Sequence, residues 1–345
     1  MKQLGGSGDA QAVAACCAPP GAGRRRVLGA ALAAGVAGTW PLRSTPATWP
    51  ERPVKLVVGF PAGTSPDLNA RLLADPLARL LGQPVLVENK SGAAGAIGAE
   101  AVARATDGHT FGVIGIAALT IVPHLNPKLA YAPRDFRAVS VIGSSPMLVV
   151  AANSVNFNAP ADFFRAGRAA GRAWNYGSLG VGSTSHFATE MIKQGAGMEA
   201  AHVPFNAAPA VLAAMVNGDV QFACLPIGTA FAQAQAGRIR AVALTSATRS
   251  ILAPGVVPLP EAGIEALDIE IWNAVMAPAA TPAAVLARLS AAVSQVIRSE
   301  DGRQKLFAQG WRAEGTTPEA LERRIRDESR VFGEVIRKRG ITVSG

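Results

Sequence analysis

The sequence predicts an α/β protein with mostly parallel β-sheets and two domains. Short apolar runs alternate with helical patterns along almost the whole chain, as in repeated βαβ units. The runs are nearly continuous in hydrophobic residues, which is typical of parallel strands covered on both faces. With 345 residues, the chain also exceeds the roughly 250–300 residues at which a single core stops growing.

Residues 1–47 are predicted to be an export signal rather than part of the fold. Three arginines at 24–26 precede an apolar, Ala/Gly-rich stretch at 27–39 that is too short to cross a hydrocarbon core. Paired arginines before a weakly hydrophobic stretch are typical of a twin-arginine signal. Cleavage near Ala47 would release the mature chain outside the cytoplasm. The alternative is a disordered basic N-terminus of a cytoplasmic protein.

Removal of this signal changes the charge and the cysteine count. The full chain carries +9 from 33 basic and 24 acidic residues. Loss of five basic residues and one acid leaves 28 and 23, or +5. No basic cluster with interleaved aromatic residues remains, which argues against nucleic-acid binding. Only Cys224 is left, and it is predicted to be a buried core residue without a disulfide partner.

The N-terminal half begins with a predicted strand at 54–60, the loop PAGTSPD at 61–67 and a helix at 68–81 that Pro76 should kink. Further strands are predicted at 84–88, 110–116, 139–142 and 147–152. The motif GAAGAIG at 92–98 opens a helix after the second of these strands. Its G-x-x-G-x-x-G spacing differs from the dinucleotide fingerprint, so close backbone packing is favoured over a nucleotide site.

A second series of strands and helices follows, and the chain then becomes helical. Strands are predicted at 173–176, 201–205, 220–225 and 239–245, with helices at 162–170, 188–194, 211–217 and 230–237. Composition shifts after Trp272, and helices are predicted at 282–298, 300–308 and 318–339. Thr317 and Pro318 supply an N-cap and an N1 proline for the last helix.

Two strand–loop–helix turns are candidate anion sites. The loop at 61–67 and the loop GSLGVGSTSH at 177–186 both end at a predicted helix start. The first turn of a helix has unpaired N–H groups and lies at the positive end of the helix dipole, which suits an anion. A single such loop is equally well explained as a Gly-rich turn with a serine N-cap. Two of them, over a hundred residues apart, predict two halves that close on one small acidic ligand.

Motifs along residues 49–345 carry a family resemblance. In chain order they are WPERPVKLVVGFPAGTSPD, ENKSGAAGAIGAEAVA, DGHTF, WNYGSLGVGSTSH, HVPF, AGRIRAVALTSATR, PEAG and MAPAATP. Together they resemble substrate-binding proteins of the tripartite tricarboxylate transporter family, also called the Bug family. The resemblance implies a two-lobed periplasmic-binding-protein fold of the Venus flytrap, type II-like form. Lobe 1 would comprise 48–150 and 275–345, and lobe 2 would comprise 151–274.

The resemblance also implies a function. It implies a monomeric periplasmic protein, not an enzyme and without a cofactor or metal, that captures a small carboxylate for two membrane transporter subunits. The ligand's carboxylate would meet backbone amides and ordered water at the first loop, while the second loop and the residues after HVP complete the site. The predicted ligand-binding residues are Phe60, Pro61, Ala62, Gly63, Thr64, Ser65, Asp67, Ser178, Gly182, Ser183, Thr184, His186, Phe205 and Asn206.

Some positions depart from the family pattern. Thr64 stands where the family usually has a second glycine, and Leu179 replaces a common serine. The stretch 205–207 reads Phe-Asn-Ala where many members have Tyr-Lys-Gly, so a ligand charged at both ends is less expected. Asp67 could order the first loop or simply cap the helix dipole. His186 could contact the ligand or orient its own turn.

Two other functions are weighed beside transport. A periplasmic ligand-binding component could serve a sensor instead of a transporter. A serine hydrolase would use Ser65, because the stretch 63–67 resembles a nucleophile elbow, although Asp67 replaces the second glycine. His186 is the histidine in a functional-looking loop that could complete a triad with it. The histidines and carboxylates show no metal-ligand spacing.

Overall fold

The computed structural model describes residues 49–265, 267 and 269–342. The predicted export signal at 1–47 lies outside the described residues. The described strands are β1 (Val54–Val58), β2 (Val85–Asn89), β3 (Thr110–Gly115), β4 (Phe136–Ala151), β5 (Trp174–Ser178), β6 (Ala200–Pro204), β7 (Phe222–Pro226), β8 (Arg240–Leu244), β9 (Glu270–Pro278) and β10 (Arg312–Ala313). The described helices are α1 (Ser65–Leu81), α2 (Ala96–Ala103), α3 (Val122–Leu125), α4 (Pro160–Ala170), α5 (Thr184–Ala196), α6 (Ala208–Asn217), α7 (Ile227–Gln235), α8 (Ala283–Arg298), α9 (Glu300–Ala308) and α10 (Pro318–Arg339).

The strands lie in the order β2-β1-β3-β9-β4-β7-β5-β6, with β10 and β8 also paired to β4. The long strand β4 joins two halves of this arrangement. Its residues 136–146 pair with β9, and its residues 147–151 pair with β7. In the first half, β1, β2, β3 and β4 share one direction and β9 is antiparallel to them. In the second half, β5, β6, β7 and β8 share one direction and β4 is antiparallel.

Local sequence explains where the two helices nearest the site begin and end. Helix α1 starts after Thr64, carries Pro66 in its first turn, where a missing N–H costs nothing, and ends at left-handed Gly82. Helix α5 starts after Ser183, whose Oγ accepts a hydrogen bond from the His186 N–H. Both helices follow a parallel strand directly, so their N-termini lie at the carboxyl ends of β1 and β5.

Glycines let backbone segments approach closely beside β1. A Cβ added to Gly98 would lie 2.6 Å from the Gly59 Cα, and one added to Gly59 would lie 2.5 Å from the Gly95 carbonyl oxygen. These contacts confirm the packing interpretation of the GAAGAIG motif. Cys224 is fully buried in β7 as predicted, and burial raises the pKa of its thiol.

The α/β class and most predicted elements agree with the structure, but two strand predictions were wrong. The segments 139–142 and 147–152 form one strand, because the intervening residues up to Pro146 are held extended by pairing with β9. Tertiary pairing there overrides a local strand breaker. Strand β9 was not predicted, although its residues 271–278 are almost fully buried. No described helix is long and apolar enough to cross a membrane.

Candidate functional site

A cavity of about 190 Å³ lies where the two predicted anion loops meet. Helix α1 presents its N-terminus from one half of the sheet, helix α5 from the other, and the segment after β6 completes that side. The predicted site residues that line the cavity are Phe60, Ala62, Gly63, Thr64, Ser65, Ser183, Thr184 and Asn206. The structure therefore brings together residues from all three predicted segments.

The other predicted residues do not belong to the lining. They are Pro61, Asp67, Ser178, Gly182, His186 and Phe205. The Pro61 carbonyl accepts a 2.6 Å hydrogen bond from Thr64 Oγ1, which closes the turn before α1. The Phe205 N–H donates to the Ser178 carbonyl at 3.0 Å and ties the segment after β6 to the second loop. Ligand contact by any of the fourteen residues stays a prediction.

Asp67 holds the first loop in place. Its Oδ2 accepts hydrogen bonds from the Gly63 N–H and from Arg71 Nε, both at 2.8 Å, and its Oδ1 accepts one from Asn89 Nδ2 at 2.9 Å. Burial disfavours ionisation of this carboxylate, but these donors outweigh burial and lower its pKa below the ordinary value. Asp67 is thus an ionised group turned away from the cavity, satisfied by the loop it orders.

The second loop has a comparable internal network. Ser183 Oγ donates to the Gly180 carbonyl at 2.7 Å and accepts from the His186 N–H at 3.2 Å. His186 Nδ1 accepts the Gly182 N–H at 3.2 Å, so this nitrogen is unprotonated. Ser178 Oγ lies 2.6 Å from His202 Nε2. These contacts fix the turn that aims the start of α5 at the cavity.

A stack of rings supports this loop from behind. His186 and His202 lie with ring centroids 4.2 Å apart and planes 8° from parallel, and Tyr176 stacks on His202 at 4.9 Å. Glu190 accepts from Tyr176 at 2.5 Å and from Lys193 at 2.7 Å. Burial lowers the pKa of His186 below its ordinary value and that of His202 to about 4. Both rings are therefore neutral at pH 7.

The electrostatic character of the cavity comes from backbone and hydroxyl groups. No Asp, Glu, Lys, Arg or His belongs to its described lining. Thr184 is 6% exposed, lines the cavity at the first position of α5, and its Oγ1 has no hydrogen-bond partner among residues 49–265, 267 and 269–342. Pro66 has no N–H and the His186 N–H is bonded to Ser183 Oγ, but the other first-turn N–H groups of α1 and α5 lack intrahelical acceptors. This arrangement offers donors to an anion without a charged side chain.

Several lining residues were not predicted. Gly115, Ile116 and Ala117 come from the end of β3 and the π-helical turn Ala117–Ile121 that follows it. Ala94 belongs to the GAAGAIG motif and has a φ of +54°, a conformation that costs a non-glycine residue about 1–2 kcal/mol. Trp311 lines the cavity from just before β10. No sequence pattern separates these residues from ordinary core residues.

Strand β9 supplies the other unpredicted wall, through Ile271, Trp272 and Asn273. Trp272 Nε1 donates to Glu328 at 2.7 Å, and the Arg324 guanidinium lies 5.4 Å from the centre of the indole. Burial raises the pKa of Glu328, although Arg324 opposes the shift. Asn273 was detectable as a lone amide in an otherwise apolar strand.

The histidines give no support to a serine triad. His186 and His202 bond within the second loop, His109 bonds to Asp107, and His124 bonds to Ser329. Among the described residues, none of these rings is bonded to Ser65. No group of three or more metal-ligating side chains is found in the same part of the chain.

Two halves of an α/β sheet with a ligand-sized cavity at the strand ends define a two-lobed solute-binding protein. The chain belongs to the family described as tripartite tricarboxylate transporter family receptor, whose model matches residues 69–341. A Pseudomonas sp. relative, the UPF0065 protein in the tcbD-tcbE intergenic region, is 30% identical over 318 residues, covering 91% of this chain and 94% of the relative.

Solved structures agree with this assignment. A protein of R. palustris with adipate has a TM-score of 0.81 and 30% identity, covering 85% of this chain and 99% of that chain. MatC from Rhodopseudomonas palustris with bound malate has a TM-score of 0.78 and 30% identity, covering 83% and 99%. Periplasmic binding protein BugD has a TM-score of 0.80 and 26% identity, covering 85% and 99%. The resemblance and the two-lobed fold expected from the sequence are confirmed.

Proposed function

We propose that this protein captures a small organic carboxylate in the cavity between α1 and α5 and delivers it to a tripartite transporter. It acts as a monomer, without a cofactor, and hands its ligand to two membrane subunits. The family assignment supports the receptor role, and the neighbours solved with adipate and malate support a carboxylate ligand.

The proposal rests on one observation about the cavity. Two helix N-termini converge on a cavity whose described lining has no ionised side chain. Each terminus is equivalent to roughly half a positive charge, and its free N–H groups point toward a bound anion. Backbone amides at helix starts can hold a carboxylate, and Thr184 Oγ1 adds a side-chain donor. The neighbours solved with adipate and malate favour a carboxylate over other anions.

Two lobes that hinge around β4 and β9 would close over this ligand. We place lobe 1 at 48–150 and 275–345, and lobe 2 at 151–274. Support comes from the pairing of β4, which changes from β9 to β7 between Pro146 and Met147. Saturating ligand should shrink the small-angle X-ray scattering radius. An identical radius with and without a proven ligand would contradict closure.

The binding test uses the exported protein purified from the periplasm. Thermal shift and isothermal titration are measured with carboxylates and with their uncharged amides as matched controls. Ligand at about 100 times its Kd should stabilise the folded state by about 2.7 kcal/mol. The proposal requires at least one carboxylate to bind while its amide does not. Equal binding of acid and amide, or no binding of any carboxylate, would contradict it.

Export by the twin-arginine route can be tested separately. Replacing the arginines at 24–26 by lysine should hold the precursor in the cytoplasm, because that route requires the arginine pair. Fractionation of cells followed by immunoblotting measures the result. An unchanged periplasmic yield would assign export to another route.

A further inference from the structure

We propose that the ligand of this cavity is a monocarboxylate with an uncharged, largely apolar body. The inference deepens the proposed function and rests on it. It concerns what the cavity can accept beyond the first carboxylate, and four features of the described residues carry it.

The first feature is the absence of a compensating cation. The described lining contains no lysine, arginine or histidine. The nearest basic group on α1, Arg71, is bound to Asp67 at 2.8 Å, and its side chain is half exposed rather than directed into the cavity. His186 lies behind the lining, and its Nδ1 accepts the Gly182 N–H. A second carboxylate would find no charged partner here.

The second feature is the size of the positive potential that is present. Two helix N-termini, each equivalent to about half an elementary charge, together compensate about one carboxylate. Thr184 is nearly buried, and its Oγ1, unpartnered in the described part of the chain, adds a neutral donor for that one group. A second ionised group enclosed in the cavity would remain uncompensated, and burial of an unpaired charge is strongly unfavourable.

The third feature is Asn273. Its side chain is nearly buried, its Nδ2 donates to Asn69 Oδ1 at 2.8 Å, and Asn69 Nδ2 in turn donates to Gln309 Oε1 at 3.3 Å. This chain of amides uses one of the two Asn273 N–H donors and leaves its Oδ1 without a hydrogen-bond partner within the described ranges. An acceptor oxygen repels a carboxylate but accepts a hydrogen bond from a hydroxyl or N–H on an uncharged ligand body.

The fourth feature is the apolar part of the cavity lining, called here the apolar wall. It includes Trp272, Trp311, Ile116, Ile271, Met147 and Leu179. Trp272 and Trp311 are at most 2% exposed, and Glu328 fixes the Trp272 indole. Hydrocarbon buried against such surfaces contributes about 25 cal/mol per Å² to binding. The wall therefore favours a ligand that presents carbon and not a second anion.

The experiment compares ligands matched in length. Isothermal titration at pH 7.5 is run with the six-carbon series hexanoate, adipate and 1,6-hexanediol, and with the four-carbon series butyrate, succinate and 1,4-butanediol. The expected result is that the monocarboxylate of the better-bound length has a Kd at least tenfold below that of its dicarboxylate, and that the diols do not bind.

Adipate or succinate binding as tightly as the monocarboxylate would overturn this inference while supporting the proposed function. No binding by any carboxylate, or binding by a diol alone, would overturn both.

A charge-addition variant tests the cause. Asn206→Lys places a cation in the cavity lining and should raise the affinity for the dicarboxylate at least tenfold relative to the monocarboxylate. Val216→Lys is the matched control, because Val216 is 61% exposed on α6 and does not line the cavity. It should leave the ratio unchanged. Equal gains for both ligands in Asn206→Lys, or a changed ratio in Val216→Lys, would contradict the missing-cation argument.

Discussion

Replacing Thr184 by valine removes one hydroxyl from the cavity and keeps the shape of the side chain. Thr184 Oγ1 makes no hydrogen bond within the described residues, so its loss should cost the unliganded protein little. A hydrogen bond to a charged group contributes about 1.5–3 kcal/mol net. Since about 1.4 kcal/mol is tenfold in affinity, Thr184→Val should weaken carboxylate binding about tenfold to a hundredfold.

Thr189→Val is the matched control on the same helix. Thr189 is fully buried and does not line the cavity, and its Oγ1 donates to the Ser185 carbonyl at 2.7 Å. It should change the unfolding temperature but not the Kd. Isothermal titration and thermal unfolding are measured for both variants. A wild-type Kd for Thr184→Val, or an equal loss of affinity in Thr189→Val, would refute the assignment of this hydroxyl to the ligand.

Three further variants probe the supports of the site. Gly182→Val should weaken binding more than tenfold, because Gly182 has a φ of +79° that a β-branched residue adopts only with strain. Isothermal titration measures the Kd, once circular dichroism has shown that the variant folds as the wild type does. A wild-type Kd would contradict the prediction. The pKa of His202 is about 4 in the folded protein, below its ordinary value of 6.5. At a pH between these two values, the unfolded chain binds a proton at His202 that the folded chain does not. Wild-type stability should therefore fall as pH drops from 7 to 4, and His202→Gln should lose less over that range in urea unfolding. Parallel losses would argue against the shift. Asp67→Ala should loosen the first loop and weaken binding about tenfold by titration, because the Gly63 N–H loses its acceptor. Asp75 is exposed on the same helix, and Asp75→Ala should not weaken binding. Equal losses of affinity in the two variants would contradict a specific role of Asp67 in ordering the loop.

Much of the fold could be predicted because its elements are strongly patterned. The strand at 54–58 is a continuous apolar run before a loop and a capped helix, and local chemistry is sufficient to specify such a unit. Strand β4 shows where prediction from local sequence fails. A proline and three small residues at 143–146 signal a break, but pairing with β9 along 143–146, and with β10 at 143–144, keeps that backbone extended.

The site likewise has parts that local sequence predicts and parts that depend on tertiary contacts. The loops that begin α1 and α5 were predicted because glycines and hydroxyls before a helix are a local signal for anion binding. The wall from β9 was missed, since a strand that packs against β3 and β4 from far along the chain leaves no local trace of its neighbours. Ala94 was treated only as packing, although its left-handed backbone brings it to the cavity.

By itself the sequence determined the α/β class, the two helix starts and the family resemblance, because periodicity, caps and motif order are all properties of neighbouring residues. The tertiary structure decided which of the predicted residues line the cavity and which support it. The sequence left open whether Asp67 and His186 contact the ligand or order their own loops. In the structure each is bonded to its own loop, and neither belongs to the cavity lining. The cavity's lack of charge is a property of a surface that forms only when distant strands and loops meet, so no local pattern could encode it.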